Sequence, residues 1–226
     1  FLTGTVNLIL AFRLRDKVYT YYGLYAFTIL LSQSNINGML SIIWPAGTHF
    51  FSDIFVSCGS GLGFVLFSLF TMALFMTKEK NPLIHRYLQF TILLGLGTFL
   101  TAFSYLYGFL ARILYINGLL FVVVLLLLAI QAVHRGVTAG KLFLIAFFPT
   151  LVGAFVKFLE LLGQLPSTWL THHSLELGTM IHMVLMTLAL TERVVSAEKK
   201  AKHVLKQAEN HARQLVEQRT RELEEK

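Results

Sequence analysis

The sequence has little charge. Asp, Glu, Lys and Arg make up 14% of its 226 residues, against about 25% in an ordinary soluble domain. That charge is also gathered at one end. Residues 192–226 hold nine of the 19 Lys and Arg and seven of the 12 Asp and Glu. The rest is a body of long apolar runs, which excludes an ordinary soluble fold and reads as an integral membrane protein. Cysteine is nearly absent: the single Cys58 rules out an intrachain disulfide framework and, within an apolar stretch, reads as a small packed side chain. The start at Phe1 has no basic n-region and no cleavage pattern, so this first run is not expected to be a signal peptide. The first apolar run is short and "RELEEK" stops mid-helix, so the chain is expected to be a fragment of a longer protein. The net charge of +7 is not a nucleic-acid footprint, because the bases of the apolar body sit in short loops where membrane topology accounts for them.

Seven apolar segments stand out, at about 1–12 (incomplete), 18–43, 51–77, 84–109, 112–133, 140–162 and 170–190. All but the first reach the roughly 20 residues that a spanning helix needs. Turn-forming stretches separate them, among them "WPAGTH", "KEKNP", "RGVTAG" and "GQLPST". Lys and Arg alternate by loop. Arg13, Arg15 and Lys17, then Lys78 and Lys80, then Arg135 and Lys141 mark one side, while the loops after segments two and six have none. The expected architecture is all-α: a seven-transmembrane bundle over 1–190, N-terminus out and C-terminus in. There is no internal repeat, and seven spans do not divide into the inverted halves of many transporters. The glycines of "GSGLG" (Gly59, Gly61, Gly63) and of "GLG" (Gly95, Gly97) predict close helix packing.

The tail lacks helix breakers. No Gly follows Gly178 and no Pro follows Pro166, so one helix can run from about 174 to 226 and carry segment seven into a cytoplasmic coiled-coil helix over 191–226. Four Glu-to-base pairs at i,i+4 support it: Glu198–Lys202, Glu209–Arg213, Glu217–Arg221 and Glu222–Lys226. Val194, Ala197, Ala201, Leu205, Ala208, Ala212 and Leu215 recur at steps of mostly three and four, as in a coiled-coil seam. The seam is mostly Ala, and so weak enough to shift between registers. A homodimeric signalling helix is favoured over a solvated single helix or plain spacer.

Polar groups gather at the expected outer end: "SQSNIN" with Asn35, His49 and Asp53, Lys157 and Glu160, His172, His173 and Glu176, with His182 deeper. Ionisable groups within spans tend to face the bundle interior or a cavity. Lys157 and Glu160 (i,i+3) can pair, and His172 and Glu176 (i,i+4) share a helical face. Two readings stand. Asn35, Asp53, Lys157, Glu160, His172, Glu176 and His182 line an outward pocket or a contact surface for an outside domain, or Lys157, His172 and His173 only snorkel to the interface. Adjacent His172 and His173 diverge by about 100° on a helix, which disfavours a zinc site. No metal and no cofactor is expected. His182 is expected to be a hydrogen-bonded core histidine rather than a proton switch.

"LELGTMIHMVLMTLALTERV" resembles the final span of the bacterial seven-transmembrane receptors with diverse intracellular signalling modules, in which a Gly precedes an apolar run ending in an acidic-basic pair. Gly178, Glu192 and Arg193 match those positions. "TGTVNLILAFRLRDKVYTYYGLYAF" is similar to the family's first span and loop, and "EQRTRELEEK" to its coiled linker. Family members often carry an acid four positions after that Gly. This chain has His182 there, so a role tied to that acid does not carry over.

The resemblance implies an extracytoplasmic sensor domain before Phe1, an output domain after Lys226 and residence in the bacterial inner (cytoplasmic) membrane. The function expected is a signal relay through Gly178, Glu192, Arg193, Ala201, Leu205 and Ala208 to a histidine kinase. The alternatives are the same relay driving a diguanylate cyclase, and a channel or transporter subunit. A retinal-type light sensor would need a Lys in the last span, and segment seven has none. No nucleophile–base pair suggests catalysis within the segment, and the partners expected are the lipid bilayer and a second copy, not nucleic acid.

Overall fold

A computed structural model describes residues 2–38, 42 and 48–224; the side chains of 48–57, 161, 197, 200, 211–213 and 215–224 lie outside the description. The described residues are helical, with no strand. Nine helices are described: α1 (Leu2–Leu14), α2 (Lys17–Ile36), α3 (Thr48–Phe75), α4 (Thr77–Lys80), α5 (Pro82–Leu100), α6 (Tyr107–His134), α7 (Thr138–Leu161), α8 (Trp169–His172) and α9 (Ser174–Glu224). The chain divides into two compact units, 1–187 and 188–226.

Five helices are long and apolar enough to cross a membrane: α3, α5, α6, α7 and α9. α1 is apolar but shorter. α2 has 20 residues, and its "SQSN" end lowers its apolarity. The end expected for segment two, near residue 43, lies outside the described residues. The break between segments four and five lies elsewhere than expected. It falls at 101–106 instead of near 110, and Arg112 sits inside α6. The Thr101 side chain donates to the carbonyl of Gly97 at 2.8 Å, beside the helical bond from the Thr101 N–H, and that of Ser104 donates to the carbonyl of Thr101 at 3.1 Å, so hydroxyls add to the backbone bonds where the helix ends.

Within 1–187, α1 packs on α2, α2 on α3, α3 on α5, α5 on α6 and α6 on α7. Glycine permits the α3–α5 crossing, as the "GSGLG" and "GLG" pattern predicts. A Cβ on Gly61 would stand 2.6 Å from the carbonyl oxygen of Gly95, and one on Gly95 2.7 Å from that of Gly61. Aromatic rings fill the centre. Phe67 lies against Tyr25 (4.7 Å between centroids), Phe70, Phe121, Phe147 and the imidazole of His182. Several polar residues in the core bond locally or across helices. Thr71 and Thr98 donate to carbonyls four residues back, while Asn117 of α6 donates to the Thr91 hydroxyl of α5 (3.2 Å) and accepts from the Tyr87 hydroxyl (3.0 Å).

Candidate functional site: the α7–α9 corner and its seam

Helix α7 ends in a left-handed turn. Gly163 has φ +72°, a conformation that a side chain would strain. Its N–H donates to the carbonyl of Glu160 and that of Gln164 to the carbonyl of Leu159, both at 2.9 Å, which closes the helix end in a Schellman motif. The chain then returns through Pro166–Thr168 into α8, whose start is a capping box between Thr168 and Thr171.

This return brings four side chains together. Glu160 accepts from the Lys157 ammonium (2.8 Å) and the Ser167 hydroxyl (2.6 Å), and its carboxylate stands 3.4 Å from His172 Nδ1. Lys157 Nζ is also 3.2 Å from His172 Nδ1. The i,i+3 pairing of Lys157 and Glu160 is therefore present. The face expected for His172 and Glu176 is not, because the chain turns at His173 between α8 and α9. His172 joins Glu160 instead. Glu176 takes His173 Nδ1 at 2.9 Å and the Asn37 side-chain amide at 3.3 Å. The turn also brings the two adjacent histidine rings edge to face at 5.0 Å, where a continuous helix would have splayed them. Asn35 is buried nearby in sequence, on α2. Asp53 lies in α3 with its side chain outside the described residues, as does that of His49. Among the described residues no three His, Cys, Asp or Glu side chains converge as a metal ion requires.

From this corner α9 runs back along α7 with little side chain between them. The Ser174 hydroxyl donates to the carbonyls of Gly153 (2.9 Å) and Thr171 (2.8 Å). A Cβ on Gly153 would meet the backbone of Ser174, and one on Gly178 the carbonyl of Pro149. The Thr150 hydroxyl donates to the carbonyl of Gly178 (3.3 Å). One turn further, His182 Nδ1 lies 3.0 Å from the carbonyl of Ala146, so that nitrogen carries the proton and donates. Its Nε2 is buried with no partner among the described residues. At the far end of this stretch the Asn7 amide of α1 donates to the Thr187 hydroxyl (2.8 Å), and the Tyr22 hydroxyl of α2 reaches the Met183 carbonyl (3.4 Å). Over 174–187, α9 is thus held at nearly every turn.

Ser174, Thr150 and Asn7 escaped the sequence reading. A lone hydroxyl carries almost no signal, but an amide inside an apolar run such as Asn7 does. In the second unit, Glu198 and Lys202 pair at 2.9 Å as expected; the other three expected pairs involve side chains outside the described residues. Glu192, Arg193, Ala201, Leu205 and Ala208 present exposed positions.

The corner makes one result easy to check. Replacing Glu160 by Gln removes the charge that gathers Lys157, Ser167 and His172. Amide exchange over 163–170 is expected to rise about ten-fold, read by hydrogen exchange in detergent, while exchange in α6 stays unchanged. An unchanged corner would show that the Gly163 turn and the capping box hold it without the carboxylate.

No curated protein and no solved structure matches this chain. Residues 1–193 match the family model described as 7TM diverse intracellular signalling. Together with the five membrane-capable helices, that match makes this chain a membrane signalling protein belonging to the 7TM diverse intracellular signalling family.

Proposed function

We propose that the chain is the relay of a bacterial inner-membrane sensor, with seven spans, the N-terminus outside and the C-terminus in the cytoplasm. A stimulus at the α7–α9 corner, delivered by a sensor domain preceding Phe1 or by a ligand, biases two arrangements of α9. A dimeric tail passes the change to an output domain following Lys226. A histidine kinase is the favoured output and a diguanylate cyclase the second. The observation that carries this reading is the continuity of α9 from Ser174 to Glu224, through residues fixed against α7, α1 and α2 and on into the charged segment. A relay needs an element whose two states both ends can bias, and one helix that belongs to both ends is the simplest such element. Asn35, Asp53, Lys157, Glu160, His172, Glu176 and His182 are the input residues of this proposal. Gly178, Glu192, Arg193, Ala201, Leu205 and Ala208 are its relay.

The test is made on the full-length protein in vesicles. Single cysteines at Ala201, Leu205 and Ala208 are expected to cross-link between copies with helical periodicity, and the protein is expected to label with γ-phosphate from ATP. Formation of a cyclic dinucleotide in place of labelling would keep the relay and change the output. Ion or solute flux with neither product would favour a channel or transporter and overturn the relay.

A further inference from the structure

At the opposite end of the bundle from the corner, the chain builds a second recess. Its floor is Leu74 and Phe75 of α3, Leu128 and Ala132 of α6, and Val137; its rim is Lys80, Asn81 and Arg135. Two rigid turns set that rim. At the end of α6, Gly136 has φ +73°, its N–H donates to the carbonyl of Val133 and the Val137 N–H to that of Ala132, both at 2.9 Å. This Schellman closure leaves Arg135 at the helix cap and folds Val137 back onto the floor. At the end of α3, Met76 reverses the chain into α4, and the buried Thr77 hydroxyl sits 3.0 Å from His85 Nδ1 of α5. The Arg135 guanidinium then donates one N–H to the Asn81 side-chain oxygen (3.4 Å), which steers it over the recess and leaves most of its five N–H donors available for an anion.

The charge here is strongly one-sided. Lys78, Lys80, Arg86, Arg135 and Lys141 cluster in sequence about these helix ends and are all exposed; Glu79 is the acid among them. The membrane-capable stretches of α3 and α6 end at Phe75 and His134, and those of α5 and α7 begin at Pro82 and Thr138, so the recess lies at a membrane boundary. A cationic rim over an apolar floor at that depth complements an anionic amphiphile. A soluble phosphate would gain nothing from Leu74, Phe75, Leu128 and Val137. The recess encloses only about 30 Å3, about the share of one water, so a lipid's phosphate sits at the rim and the first carbons of its chains cover the floor. We propose that this recess is a binding site for an anionic glycerophospholipid, with the phosphate held by Lys80 and Arg135 and the acyl-bearing end lying over the apolar floor.

A bound lipid would tie the ends of α3, α4 and α6 together, away from the corner, and so set how easily the bundle rearranges. The probe is phosphatidylglycerol against phosphatidylcholine, offered to the full chain in detergent, with retained lipid counted by native mass spectrometry. A basic side chain that holds the phosphate directly is expected to contribute at least the roughly five-fold that one Lys or Arg gains at an anionic surface, and one that lies outside the recess is expected to add little in detergent, where there is no such surface. Wild type is therefore expected to retain phosphatidylglycerol over phosphatidylcholine by about thirty-fold, and the K80Q/R135Q variant by only a few-fold. The control R86Q/K141Q removes equal charge at the same helix ends, outside the recess, and is expected to keep the wild-type preference. Equal loss in both variants would reduce the effect to diffuse surface charge and overturn the site, as would no loss in either. Displacement of the lipid by millimolar inorganic phosphate would also overturn it, by showing that the rim recognises soluble phosphate without help from the floor. All four side chains are exposed, so the variants are expected to fold, and an unchanged thermal midpoint checks this.

Discussion

Replacing Gly178 by leucine will push α7 and α9 apart and lower the thermal midpoint of the membrane unit more than any surface substitution. Even a single Cβ at this position would overlap the carbonyl of Pro149, and backbone cannot swing away as a side-chain tip can. Three further heavy atoms have nowhere to go. Overpacking of this kind costs about 1–3 kcal/mol. The separation would also stretch the Thr150–Gly178 bond and the Ser174–Gly153 bond on either side of the crossing. A control lies in the same bundle. A Cβ on Gly97 would meet only Leu110 Cδ1, at an ordinary 3.7 Å. Gly97→Ala is therefore expected to leave the midpoint unchanged or slightly raised, since alanine is the better helix former by about 1 kcal/mol. If Gly178→Leu melts like the control, the α7–α9 contact is looser than its geometry implies. The relay proposal would then lose its tightest joint.

The Gly178 position illustrates what the sequence could and could not convey. Its place before the last apolar run is visible as a pattern, and resemblance marks it. The reason a glycine stands there is not visible, because the partner is a carbonyl 29 positions earlier in the chain, that of a proline inside a helix. The same divide runs through the corner. The Lys157–Glu160 pair is local and follows from helical spacing. The His172–Glu160 approach is not, because it depends on a chain reversal that starts at Gly163 and on a break at His173 with no Gly or Pro to announce it. Extrapolating one helix through 170–190 therefore placed His172 with the wrong carboxylate. The continuous α9 was readable because nothing in its sequence interrupts it. The α3–α5 crossing was readable because close helix packing leaves glycines behind. The break at 101–106 was not, because Thr and Ser can end a helix through their side chains as well as sit inside one.

His182 separates packing from polarity in the seam. The imidazole is 1% exposed and stands against Phe147 (5.6 Å), Phe67 (6.1 Å) and Tyr22 (6.3 Å). Phe67 and Phe147 also line a mostly apolar groove of about 200 Å3, open to the surface, with Tyr25, Phe64 and Phe121. Truncation to alanine would leave a void beside this groove, and loss of a large buried side chain costs about 2–5 kcal/mol depending on how far the walls relax. Because Phe67 and Phe147 face this open groove on their other side, they can move, which sets the expectation toward the lower half of that range. Leucine is a sharper substitution. It fills most of the space and removes a buried Nε2 that has no partner among the described residues, a gain; it also strips the Ala146 carbonyl of its imidazole donor, a loss. The two are of similar size, so His182→Leu is expected to stay within about 1 kcal/mol of wild type. The pair is measured by thermal unfolding and, in the full-length protein, by output activity. A leucine variant that is stable but silent would show that the hydrogen bond from α9 to Ala146 transmits the signal. A leucine variant that is stable and active would make His182 a packing residue, and would leave Gly178 and the outer corner as the parts of the seam that couple α7 to α9. A leucine variant as unstable as the alanine one would mean that the Ala146 carbonyl, one turn before Pro149, cannot do without its donor.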